Sequence, residues 1–178
     1  GLDGLTTEAL GIQTVRFDLT GQSANLADAA RRALSFQGSG QATGFSADDP
    51  ALVEALGQQI ALRLAGGWQA GSPVSLDGLR VGGDAFPLAA DGQIETGVFD
   101  GQIVLDARTL APFSGLADRD LGGAMQLVAR GSLDALSGGF DLDLDGNCNA
   151  LQIGDDIANR LLAGQTRITG GLKRDVEG

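Results

Sequence analysis

The chain has 178 residues, with 12 Lys and Arg against 23 Asp and Glu, a formal net charge of -11, and neither histidine nor tyrosine. That balance opposes extended contact with nucleic-acid phosphates or an anionic lipid surface, and without imidazole the commonest general base and the commonest zinc or copper ligand are gone. A hydrophobic share of 43% suffices for a core, Cys148 is alone and can form no internal disulfide, and no run approaches the roughly 18 apolar residues of a membrane span.

Taken in chain order, the strongest signal is alternation. Val15, Phe17 and Leu19 alternate with Arg16, Asp18 and Thr20. The run "ADDPALVEALG" then predicts a short helix, with Asp48 or Asp49 as N-cap, Pro50 in the first turn and Gly57 past the end. Ile60, Leu62 and Leu64 resume the period of two, followed by "GQIVLDAR" (Ile103, Leu105, Ala107), "AMQLVARG" (Met125, Leu127, Ala129) and "TRITG" around Ile168. "GDDIANRLLAG" repeats the helix design with Asp155 as cap and Gly164 as stop; "LADAARRAL" and "FSGLADRDLGG" are weaker versions. Each alternating run presents one apolar and one polar face, as strands of an antiparallel sheet with one wet side do.

Glycine numbers 29, about twice the usual share of roughly 7%, and suits many turns between short strands. The pairs Asp77-Gly78, Asp91-Gly92, Asp100-Gly101 and Asp145-Gly146 read as two-residue hairpin turns, because a type I′ turn needs positive φ at both central residues. A loose repeat links the elements: a helical turn ending in Leu-Gly, a strand, a glycine, then more strands. Gly57 to Gly66 and Gly122 to Gly131 are both nine residues apart, whereas Leu10 to Leu56 is 46 and Leu56 to Leu121 is 65. Stacked units of this kind form one extended sheet in which each unit buries its neighbour's apolar face.

The stretch "GGFDLDLDGN" offers a choice. Asp141, Asp143 and Asp145 followed by Gly146 match the start of an EF-hand calcium loop. The twelfth position, however, is Gln152, where that loop needs a bidentate glutamate. Phe140, Leu142 and Leu144 also alternate with the aspartates at the strand period. The aspartates therefore read as the wet side of a strand, with no metal expected. "GSGQATG" (Gly38 to Gly44) misses the dinucleotide fingerprint by one place and reads as a turn. Cys148, in "DGNCNA" near an expected turn, has no histidine partner, and Trp68 reads as a core or edge aromatic. No catalytic set emerges, so no enzyme activity and no cofactor are expected.

"DARTLAPFSGLADRDLGGAMQLVARGSLDALSGGFDLDLDG", followed by "IANRLLAGQTRITGGLKRDVEG", resembles the repeat region of the TamB family, the translocation and assembly module subunits. The resemblance covers residues 45 to 178 well and the first forty poorly. It implies kinship with the AsmA-like, bridge-like lipid carriers of the Gram-negative envelope. Such proteins are anchored in the inner membrane by an N-terminal helix and cross the periplasm. They carry phospholipid between the membranes, support outer-membrane protein assembly, and meet the barrel partner TamA through their C-terminal region. Their body is a β-sheet curled into an apolar trough, a β-taco, for lipid acyl chains. Residues 1–178 would then be a single repeat-built segment of such a trough, in the periplasm, with the anchor lying elsewhere.

The expected fold is thus all-β with a few short helices, a curved, mostly antiparallel, elongated sheet. Its apolar side would be lined by Val15, Phe17, Leu19, Ile60, Leu62, Leu64, Ile103, Leu105, Leu127, Phe140, Leu142 and Leu144. Phospholipid acyl chains are the expected partner, and nucleic acid is not. The competing expectation is a structural β-solenoid or sandwich of the adhesin kind, whose apolar face is a dry packed core.

Overall fold

The computed structural model describes residues 2–6, 10–83 and 86–175. Among these, ten strands follow one another in a single antiparallel meander, each hydrogen-bonded to the next in sequence. They are β1 (Leu2–Thr6), β2 (Leu10–Ala24), β3 (Ala33–Ala47), β4 (Gln59–Gln69), β5 (Val74–Gly82), β6 (Pro87–Glu95), β7 (Val98–Ala107), β8 (Gly122–Asp134), β9 (Phe140–Gln152) and β10 (Gln165–Arg174). β1 pairs only with β2, and β10 only with β9, so the sheet is open. It is a curved, mostly antiparallel β-structure with a few short helices. At about 3.3 Å per residue the 15 residues of β2 or β3 reach about 50 Å, and ten strands about 4.8 Å apart span about 43 Å.

In a meander, successive connections alternate between the two ends of the strands. One end carries the helices. α1 (Pro50–Leu56) joins β3 to β4, α2 (Ser114–Ala117) joins β7 to β8 after a 3-10 turn at Ala111–Phe113, and α3 (Asp156–Leu161) joins β9 to β10. Asp49 caps α1 by accepting from the Ala51 amide at 2.9 Å, Pro50 opens it, and Gly57 closes it with φ 76. Asp155 caps α3 by accepting from the Ile157 and Ala158 amides. α1 packs on α2 and the 3-10 turn. Ala55 and Leu110 are buried there, and the rings of Phe86 and Phe113 meet edge-on at 6.2 Å. The opposite end holds only turns, among them Thr96-Gly97, whose φ values of 50 and 87 meet the two-residue hairpin requirement.

Four expectations need correction. The Asp-Gly pairs are not hairpin turns: Asp91-Gly92, Asp100-Gly101 and Asp145-Gly146 lie inside β6, β7 and β9. In each, the glycine continues the apolar phase of its strand, and the aspartate faces outward. Asp77-Gly78 is a β-bulge. Ala65 pairs with Gly78 but Gly66 with Leu76, so β5 holds one extra residue there, and its apolar positions move from Val74 and Leu76 to Leu79 and Val81. "GSGQATG" lies within β3 and not in a turn, because Gly38 and Gly40 sit under the Phe17 side chain of β2. "LADAARRAL" forms turns between β2 and β3 and no helix, with Asp28 accepting from the Ala30 amide in competition with helical bonding. Cys148 likewise sits within β9, buried, and not near a turn. The first helical turn of the repeat, expected to end at Leu10-Gly11, falls partly outside the described residues; Leu10 and Gly11 belong to β2.

Candidate functional site

Directly opposed residues in an antiparallel pair point to the same side of the sheet, so the register assigns every strand residue to a face. One row runs Phe17, Gly40, Leu62, Val81, Leu88, Leu105, Leu127, Gly146, Ile168 across β2 to β10. The next runs Leu19, Gly38, Leu64, Leu79, Ala90, Ile103, Ala129, Leu144, Gly170. A third contains Gly21, Phe36, Gly66, Leu76, Gly92, Gly101, Gly131, Leu142 and Leu172. Toward the hairpin end Val74, Ile94, Phe99, Leu133 and Phe140 are opposed in turn. Toward the helical end Val15 opposes Ala42, which opposes Ile60.

All twelve residues expected to line the apolar side therefore share one face. The same face includes residues not anticipated from the sequence: Phe36, Leu76, Leu79, Val81, Leu88, Phe99, Leu133 and Leu172. Leu79 and Val81 were hidden by the bulge, which reverses the phase within one strand. Phe36, Phe99 and Leu133 were in phase with their neighbours and legible in principle.

The glycines of this face are seats for rings. A Cβ on Gly66 would lie 2.6 Å from the Phe36 ring, one on Gly40 would lie 2.8 Å from the Phe17 ring, and Gly92 and Gly101 flank Phe99 in the same way. An aromatic side chain lying over a backbone without a Cβ covers peptide groups that a strand glycine would otherwise leave bare.

The face is poorly covered. Buried apolar residues among those described are Phe45, Ala55, Ala90, Ala107, Leu110, Ala129 and Cys148. Those on this face (Ala90, Ala107, Ala129, Cys148) are all small. Most of its large side chains are half-buried in the middle strands, Ile94 and Trp68 excepted, and the most exposed lie toward the edges, with Leu19 60% and Leu172 51% accessible. One sheet supplies all the strands, and the helices pack at one end of them. Cys148 opposes Met125 and Thr166 on the same face, and burial pushes its thiol pKa up, which disfavours the thiolate.

The other face carries most of the charged side chains of the strands. Asp141, Asp143 and Asp145 line it along β9, so the alternation in "FDLDLDG" is a strand's wet side. Arg167 of β10 donates from Nη2 and Nε to the two carboxylate oxygens of Asp145, at 2.8 and 3.1 Å, and Lys173 lies 3.5 Å from Asp141. The Arg167 hydrogen bonds hold the Asp145 carboxyl below the usual aspartate range. These pairs are exposed and screened by solvent.

No known protein family, no curated protein and no solved structure matches the chain.

Proposed function

We propose that the protein is a lipid-carrying segment whose apolar sheet face binds phospholipid acyl chains. One observation carries the reading: rows of leucine, isoleucine, valine and phenylalanine cross the sheet from β2 to β10 with no second layer facing them among the described residues. Full burial of each such side chain is worth about 1.5–3 kcal/mol, so a face of this extent favours an apolar occupant over water. Apolar patches beyond a few hundred Å² on soluble proteins mark binding surfaces. Because the rows run across the strands, an acyl chain can lie along them, past one strand after another. Curvature of the sheet toward this face would make the rows a trough.

The resemblance to the TamB family gives the reading its setting. In that setting the chain is a non-catalytic stretch of a periplasmic bridge between inner and outer membranes, in a protein that also supports outer-membrane protein assembly. Contact with TamA would come through another part of that protein.

The test is chemical. The purified protein, extracted with organic solvent and analysed by mass spectrometry, is expected to yield co-purified phospholipid. Protein that carries none, and takes up none from phospholipid vesicles, would sink the reading. Face-to-face dimerisation by the same surface would then be the explanation to test by sedimentation.

A further inference from the structure

On the polar face, register sets Arg63 of β4 directly opposite Arg80 of β5. Like charges at opposed positions destabilise a strand pair. At the β9–β10 edge of this face cations sit beside carboxylates, Arg167 by Asp145 and Lys173 by Asp141 and Asp175, whereas Arg16 and Arg130 have no ion pair among the described residues. Among the described residues Arg63 and Arg80 belong to no ion pair and make no side-chain hydrogen bond to the protein.

Beside the two guanidinium groups lies a cavity of about 430 Å³, lined also by Ala61, Pro87, Ala89 and Val104. Such a volume falls within the range of small-molecule sites, about 300–1,000 Å³. Gly82, opposite Ala61 in the register, keeps the floor low; a Cβ there would meet nothing nearer than 3.6 Å. Arg80 opposes Ala89, and Ala89 opposes Val104, so an apolar strip leads away from the charged pair along one row. Asp106 is the one carboxylate of the lining among the described residues. Two arginines and one aspartate leave the site with a single positive charge.

We propose that this cavity binds a monocarboxylate with an apolar tail. The carboxylate sits between Arg63 and Arg80, whose planar forks match its two oxygens, and the tail lies over Ala89 and Val104. Binding relieves the repulsion between the two arginines. Asp106 opposes any second negative charge on the ligand, so the site selects a singly charged head over a phosphate dianion. The cavity is on the face opposite the apolar rows and stands independently of the lipid reading.

Isothermal titration of the purified protein at low salt, with octanoate, octyl phosphate, octanol and acetate as probes, tests the assignment. Octanoate is expected to bind more tightly than acetate or octanol, and more tightly than octyl phosphate at about pH 8, where that phosphate is a dianion. Arg63→Gln and Arg80→Gln should each weaken octanoate binding at least about tenfold, the loss expected when one of two charge-assisted partners is removed. Arg130→Gln, on the same face but outside the lining, should leave it unchanged. Equal octanoate affinity in the arginine variants, equal affinity for octanol, or tighter binding of octyl phosphate each overturns the proposal. Without ligand, Arg80→Gln should melt at or above the wild-type temperature, because the repulsion is gone. A lower melting temperature would mean that the pair is a structural contact and would also overturn it.

Discussion

Leu142→Arg separates a lipid-binding face from a packed core by what fails. Leu142 lies in β9 on the apolar face, opposite Gly131 on one side and Leu172 on the other. It is half-buried, and Leu172 beside it is 51% accessible. The substitution forfeits roughly half of a leucine's burial, about 1–1.5 kcal/mol. The guanidinium itself can reach water from so open a surface by extending its stem over the neighbouring apolar groups. For a chain of this length 1 kcal/mol moves the melting temperature about 2–4 °C, so a fall of about 3–6 °C is expected. Were the face instead sealed beneath another layer, an unpaired buried charge would cost about 3–5 kcal/mol or more. The variant would then lose about 6–20 °C or fail to fold. Thermal unfolding followed by circular dichroism supplies one measurement and phospholipid content after extraction supplies the other. A stable variant that has lost its phospholipid is the expected result. A stable variant with undiminished phospholipid would refute the argument that acyl chains lie on this face, and an unfolded one would refute the openness of the face. Leu62→Arg in β4 should repeat the outcome five strands away, since Leu62 and Leu142 lie on the same face, two rows apart.

Gly92→Ala would set a Cβ 2.8 Å from the Cα of Gly101 and 2.9 Å from the Phe99 ring, and is expected to destabilise by about 1–3 kcal/mol in urea unfolding. Gly164→Ala, where a Cβ meets nothing within 4 Å, should be neutral or gain up to about 1 kcal/mol; equal losses at both positions would contradict the ring-seat account. The Asp145 and Asp134 carboxyls are held below the ordinary aspartate value of 3.8, by Arg167 and by the Ser137 hydroxyl and nearby amides respectively. Because their folded pKa values are depressed, their contribution is complete above that value and is lost as pH falls through the folded values. The urea midpoint should therefore drop more steeply in acid for wild type than for Asp145→Asn, and parallel curves would count against the pair. Cys148 is 1% accessible and its thiol pKa is raised by burial. Labelling by a thiol reagent should hence follow urea unfolding, and rapid labelling of the native protein would contradict the burial of Cys148.

Alternation along the chain determined which side chains share a face. "VRFDL", "IALRL" and "FDLDL" each commit their apolar residues to one side, because successive Cβ atoms of a strand point oppositely whatever the strand pairs with. The caps at Asp49 and Asp155 were equally local, since a carboxylate two or three residues before an amide is all that an N-cap needs. The Asp-Gly pairs show where local reading ends. Asp91-Gly92 has the chemistry of a hairpin turn, yet Gly92 sits in mid-strand because Gly101 and the Phe99 ring press against it from the neighbouring strand. That pressure is a tertiary fact, legible beforehand only as a glycine that keeps the phase of Leu88, Ala90 and Ile94. The bulge at Asp77-Gly78 goes further: one extra residue in β5 fixes which of its side chains face Leu62 and Leu64 and which face Arg63. The opposition of Arg63 to Arg80, and the cavity beside them, follow from that register. Residues 17 apart in sequence meet only once the strand pairing has been chosen, and no local pattern contains that choice.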